Sequence, residues 1–299
     1  MAEEKKRLEI LLVEDQPGHI KDAQQFMDGA IRDGAPIQVT YAGTLEDAMK
    51  EMKSKRYDGV ISDIFFPESE GHFGSEESLQ KCKELIDFEG LVKYKKLREV
   101  VTKYKTPLSE LLKQKDHLAK EYCTIVQWLS KETEAPLGVL VADYAFKQGI
   151  PVVLATSTYH HGAKAQPVCS YARSKGLQLV DGYVEGDCDA EAPKKRFDIA
   201  FIYLVGLHEA KEKGLIEITE KGIESTSEEE DLRLDILAGS LSQALKPAEE
   251  LTDQMIKDTE GYFTHYLRPE SAEVCLIKTI LQEYFPSKID SVLGAYLPK

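Results

Sequence analysis

The sequence predicts an α/β protein built on a doubly wound parallel sheet, with an inserted helical hairpin and a C-terminal helical region. Short, nearly continuous apolar runs of strand length alternate with segments of helical apolar spacing, the pattern of crossover units in a parallel sheet. That rhythm breaks at about residues 72–135, where helical spacing persists with no strand signal. It breaks again beyond about Val205.

Taken in order, LEILLVE at 8–14 reads as a strand buried on both faces. Pro17 suits a first helical position, where its missing N–H costs nothing. Ile20, Ala23, Phe26, Met27 and Ala30 carry a helix on to about Arg32, and Gly34 and Pro36 punctuate its end. A strand follows at Ile37 to Tyr41. Thr44 then caps a helix from Leu45 to Lys53 whose apolar face is Leu45, Ala48, Met49 and Met52. DGVISDIFFP supplies the third strand, ending at Asp63.

The insertion reads as two helical arms, Glu76 to about Tyr104 and Pro107 to about Ser130, each on the order of 40 Å long. Thr106 and Pro107 mark the break as an N-cap and first helical position. The α/β rhythm then resumes with a helix at Gly138 to Gln148, the strand IPVVLATS, a helix near Gln166 to Lys175 and the strand GLQLVDGY. FDIAFIYL at 197–204 reads as one more strand. The division expected is a first domain at 1–205, carrying the insertion, and an acidic linker with a helical domain at 206–299. Residues 224–231 form the polar linker, and Pro247, Pro269 and Pro286 separate four helical stretches. Leu251, Met255, Ile256, Tyr262 and Phe263 supply apolar faces for a small bundle.

Composition narrows the function classes. A 42% hydrophobic and 30% charged chain fits an ordinary soluble globular protein. No apolar run approaches the roughly 20 residues of a membrane span, and MAEEKKRLEI has no secretory h-region. Cys82, Cys123, Cys169, Cys188 and Cys275 are scattered and odd in number, which points to reduced thiols in a cytoplasmic compartment. A net charge of -14 disfavours nucleic acid, since the phosphate backbone rewards cations. There is no GxGxxG or GxxxxGK[ST] loop, and no serine or cysteine in a nucleophile setting, so an enzyme is not expected.

The chemistry gathers at one sheet edge. Glu14 and Asp15 end the first strand, Asp63 the third and Thr156 the next, all at the carboxyl edge where open parallel sheets bind ligands. Carboxylates brought together there repel one another unless a divalent cation joins them. Magnesium prefers such oxygen donors and would neutralise a phosphoryl group held on one of them. His160 and His161 follow Thr156 and read as solvated loop residues sooner than metal ligands.

In this order and spacing, LLVEDQP, VTYAGTLEDAMKEMKSKRYDGVISDIFFPESEG and PVVLATS resemble the response-regulator receiver family. The resemblance covers residues 8–71 closely and 138–182 more loosely. It implies a flavodoxin-like receiver domain in which Glu14 and Asp15 help hold Mg2+, Asp63 accepts the phosphoryl group and the Phe65 carbonyl is a further ligand. Thr156 matches the family's phosphoryl-contacting hydroxyl, and Pro67 and Gly71 match the proline and glycine that follow the phosphorylated aspartate. It also implies a phosphodonor, a histidine kinase or phosphotransfer protein. The family's lysine at the end of the fifth strand is missing, because Asp181 and Gly182 stand about there. Lys164 and Lys194 are alternatives.

The expectation is a cytoplasmic response regulator of the two-component, phosphorelay type that signals through protein contacts. Its alternative is a phosphorylation-independent pseudo-receiver acting as a scaffold. Between Lys81 and Lys120, eleven basic residues against six acidic ones, with Tyr94, Tyr104 and Tyr122 in or beside them, fit docking to an acidic partner or a second copy as a homodimer. From Glu229 to Lys299 seven basic residues stand against thirteen acidic, the wrong sign for reading DNA.

Overall fold

A computed structural model describes residues 7–67, 76–86, 134–157, 166–181, 195–226, 234–246 and 272–289, with Lys257, Thr259 and Val292. Five parallel strands form the main sheet: β1 (Leu8–Val13), β2 (Ile37–Ala42), β3 (Gly59–Asp63), β6 (Val152–Thr156) and β7 (Leu179–Asp181). Their spatial order is β2-β1-β3-β6-β7, an α/β arrangement consistent with a flavodoxin-like domain.

Strand order fixes where the helices go. The chain leaves β1 toward one edge to make β2, then crosses back beyond β1 to make β3 and continues outward. Right-handed crossovers therefore put α1 (Pro17–Arg32) on one face, and α2 (Leu45–Ser54), α4 (Gly138–Lys147) and α5 (Gln166–Ser174) on the other. The helix α6 (Phe197–Glu212) returns to the first face, against α1, β3 and β6. Both faces being covered, β3 and β6 are buried along their whole length.

The early elements follow the sequence closely. Pro17 opens α1, and Thr44 caps α2 by accepting from the Asp47 N–H at 3.0 Å. The insertion leaves the fold through β4 (Phe66–Pro67) and returns through β5 (Glu134–Ala135), which pair antiparallel. Of its two expected arms, a helix α3 (Glu76–Leu85) is described and touches α4. The remainder of the hairpin lies outside the described residues.

FDIAFIYL is not a strand. It opens α6, whose residues Ala200 to Leu207 are all buried, so no 3.6-residue stripe distinguishes one side. The cause is cover on both sides. One side of α6 meets β3 and β6, and the other meets α7 (Leu234–Ala244) and α8 (Ala272–Tyr284). Phe201 makes edge-on contacts with Phe26, Tyr284 and Phe285 at 5.7–6.2 Å. The expected boundary at residue 205 falls inside this helix, and the C-terminal helices join the same apolar cluster as the sheet. Part of the expected acidic linker also has regular structure, because β8 (Ile216–Thr219) and β9 (Gly222–Ser225) form a hairpin. Its Ile223 N–H donates to the Lys175 carbonyl at 2.8 Å, below the start of β7 and so at the edge opposite the acidic residues. Gly222 permits that approach, since a Cβ there would stand 2.3 Å from the same carbonyl oxygen. Leu251, Met255, Ile256, Tyr262 and Phe263 lie outside the described residues. Among those described, no helix is long and apolar enough to cross a membrane.

Candidate functional site

Register alone brings the acidic residues together. Val13 pairs with Ser62, so Glu14, one step on, stands level with Asp63. Asp63 in turn pairs with Ala155, which places Thr156 one residue beyond it, and Thr156 pairs with Asp181. The chain leaves β1 and β3 in opposite directions, which makes the gap between their carboxyl ends the switch point of the sheet. One ligand atom from each of Glu14, Asp15 and Asp63 lies within 4.8 Å of the others.

Among the described residues, the cation facing them is Lys195. Its Nζ donates to Glu14 Oε2 at 2.5 Å and pairs with Asp63 Oδ2 at 2.7 Å, with its side chain 1% exposed. Lys164 and Lys194, the lysines expected as alternatives, lie outside the described residues. The placement of Lys195 depends on 197–204 being helix, where the sequence suggests a strand. A residue just before a strand belongs at the amino edge, whereas one just before a helix that follows β7 belongs at the carboxyl edge, beside the acids. The signal is the basic run Lys194, Lys195 and Arg196 ahead of a mostly apolar stretch that continues past FDIAFIYL to Leu207, longer than most strands.

Burial sets the electrostatics. Glu14, at 1% side-chain exposure, is pushed up from 4.5 to about 7 by loss of water and by the charge of Asp63. The Lys195 ammonium and the Gln16 N–H, which donates to Glu14 Oε1 at 3.2 Å, act in the opposite direction. Asp63 is also raised, because desolvation outweighs Lys195 and the N–H groups of Ile64 and Phe65. The Ile64 donor lies 2.6 Å from Asp63 Oδ1. Three carboxylates against one ammonium leave two negative charges when all are ionised, the deficit a divalent cation would fill. The donor set is all oxygen, which suits a hard ion such as magnesium. His19, in the first turn of α1, is held below its usual range by burial and by Lys195.

Local packing fixes the Asp63 loop. Gly138, at the head of α4, donates its N–H to the Ile64 carbonyl at 3.0 Å. A Cβ at Gly138 would stand 2.0 Å from the Asp63 carbonyl oxygen, so no other residue fits without moving the loop. Phe65 is buried beside it, Thr156 is buried at the end of β6, and Pro67 pairs with Glu134. Gly71, His160 and His161 lie outside the described residues. Thus Glu14, Asp15 and Asp63 come together, Thr156 lies at the same edge, and Lys195 joins them.

Comparison of the chain with protein-family models, with curated proteins and with solved structures found no match.

Proposed function

We propose that this chain is a receiver-type signalling protein in which Asp63 accepts a phosphoryl group from a small donor or a phosphodonor protein. The observation that carries the reading is the Lys195 ammonium seated on both Asp63 and Glu14 at the switch point, with Asp15 and Thr156 at the same edge. The reading would give each group a role. Glu14, Asp15 and Asp63, with the Phe65 carbonyl, would hold Mg2+, which when bound supplies positive charge to the phosphoryl oxygens. An ionised Asp63 oxygen attacks phosphorus, the donor's bond to phosphorus breaks, and the leaving group departs with that bond's electrons. Lys195 opposes the effect of burial on Asp63 and would then face the added negative charge. Thr156 offers a hydroxyl proton to a phosphoryl oxygen. The output would pass through protein contacts made by the helices, the basic insertion being suited to an acidic partner or a second copy.

A second reading follows from the tightness of the same contact. Lys195 already answers two carboxylates, so the chain could serve as a phosphorylation-independent scaffold in which the buried ion pairs only hold the loops. Intact mass after incubation with Mg2+ and acetyl phosphate separates the two. A gain of about 80 Da, one phosphoryl group, that is absent in Asp63→Asn supports the receiver. No gain in folded protein leaves the scaffold.

A further inference from the structure

Residues 195–198 belong to two structures at once. Lys195 lies in the acidic site. Arg196, the next residue, stands at the start of α6 and is tied to the C-terminal region. Its Nε donates to Asp198 Oδ1 at 2.9 Å, and its Nη2 donates to Asp198 Oδ2 at 2.7 Å and to Ser242 Oγ at 3.2 Å. The Ser242 hydroxyl, buried on α7, closes the ring by donating to Asp198 Oδ2 at 2.5 Å. Burial raises the Asp198 carboxyl, but Arg196 and Ser242 outweigh it and hold the group below its usual range. The clamp is therefore charge-assisted, the stronger kind of hydrogen bond. It pins the first turn of α6 to α7.

The surroundings leave room for it to move. A cavity of about 460 Å³ lies between α1, α6, α7 and the segment at Phe285, and both Asp198 and Ser242 line it. Close-packed interiors transmit displacement stiffly and resist rearrangement. This cavity opens to solvent beside the clamp, so the head of α6 and the end of α7 are not backed by close-packed neighbours on that side.

We propose that the Arg196–Asp198–Ser242 clamp couples the acidic site to helix α7, so that drawing Lys195 away from Glu14 and Asp63 loosens α7 from α6. Lys195 and Arg196 share a peptide unit, and the Lys195 side chain is anchored at its far end by two buried carboxylates. A cation or phosphoryl group that takes those carboxylates leaves the ammonium to find new partners, and residue 196 moves with it. By linkage, weakening the clamp must change the site's affinity for the cation by the same factor that the cation changes the clamp. This reciprocal half rests on the cation binding proposed above; the first half does not.

Two measurements test it. In metal-free protein, hydrogen exchange of α7 is compared between the native chain and Asp63→Asn, with α2 on the opposite face as reference. Exchange in 234–244 about fivefold faster, with α2 unchanged, is expected. Equal change in both helices, or none in α7, overturns the coupling. In the second, Mg2+ affinity is measured by calorimetry in the native chain, Ser242→Ala and Arg196→Gln. A change of about fivefold in the dissociation constant is expected in both variants. Unaltered affinity overturns the proposal. Absence of Mg2+ binding by the native chain counts against the receiver reading, and the exchange experiment then decides the coupling by itself.

Discussion

Replacing Lys195 with methionine keeps most of the side-chain volume and removes the charge that sits 2.5 Å from Glu14 and 2.7 Å from Asp63. Breaking a buried ion pair by deleting one partner costs about 3–5 kcal/mol, because the remaining charge is left in low dielectric. Here two carboxylates are stranded, so the upper half of that range is expected wherever both are ionised. They can escape by binding protons. Lys195 is one of the influences holding both groups down, so its loss moves both further up. The native variant then binds more protons than the native wild type, while the unfolded chains are alike. By linkage, its stability falls more steeply as pH rises. At about pH 5 the loss shrinks to the missing hydrogen bonds, about 1–2 kcal/mol. Urea denaturation at about pH 5 and about pH 8 measures the gap at each, with Lys55→Met as control. Lys55 pairs with Glu9 at 2.6 Å but is 35% exposed, and such a pair contributes at most about 1 kcal/mol. A loss at Lys195 no larger than this control, and equal at both pH values, would refute the account of the site.

Other expectations can be checked alongside. In the intact protein, Glu14 binds its proton more tightly folded than unfolded, so its contribution is complete below 4.5 and is lost as pH rises to about 7. The loss is on the order of 3 kcal/mol, and Glu14→Gln should flatten that part of a urea-midpoint profile. Magnesium must displace the same proton, so calorimetry in buffers of different ionisation heat should show proton release below about pH 7 and tighter binding above it. Gly138→Ala should lower stability by about 3 kcal/mol or more in thermal melts, because the added carbon meets backbone oxygen. Gly18→Ala, in α1 with nothing within 4 Å, should leave the melt unchanged or raise it by about 0.5–1 kcal/mol.

The first half of the fold was legible because each signal there has one physical meaning. A strand covered on both faces must be apolar throughout, and Pro17 and Thr44 satisfy helix starts in ways that few other residues can. The acids Glu14, Asp15 and Asp63 were legible for the same reason, since polar groups directly after such strands can only lie at an edge. Lys195 was not legible, because its position depends on whether the next segment is a helix or a strand. Periodicity cannot decide that for α6, a helix covered on both sides. The hairpin at 216–225 was missed because Glu217 faces water while Ile216 and Ile218 face inward, a pattern too short to stand out among charged neighbours. The packing of α7 and α8 against α6 was hidden as well, since an apolar helical face does not reveal what it will cover.

The two-residue ladder of Phe66–Pro67 with Glu134–Ala135 has a consequence for how the chain can be rebuilt. Paired antiparallel strands run about 5 Å apart, a gap that a two-residue turn spans. The insertion therefore leaves and re-enters the domain through one doorway, three residues beyond Asp63. Within the insertion, α3 and the residue after it bury Cys82 and Ile86 in the common core. A graft that keeps residues 76–86 spares that packing, whereas an Asn-Gly turn in place of all of 68–133 would strip it from α4.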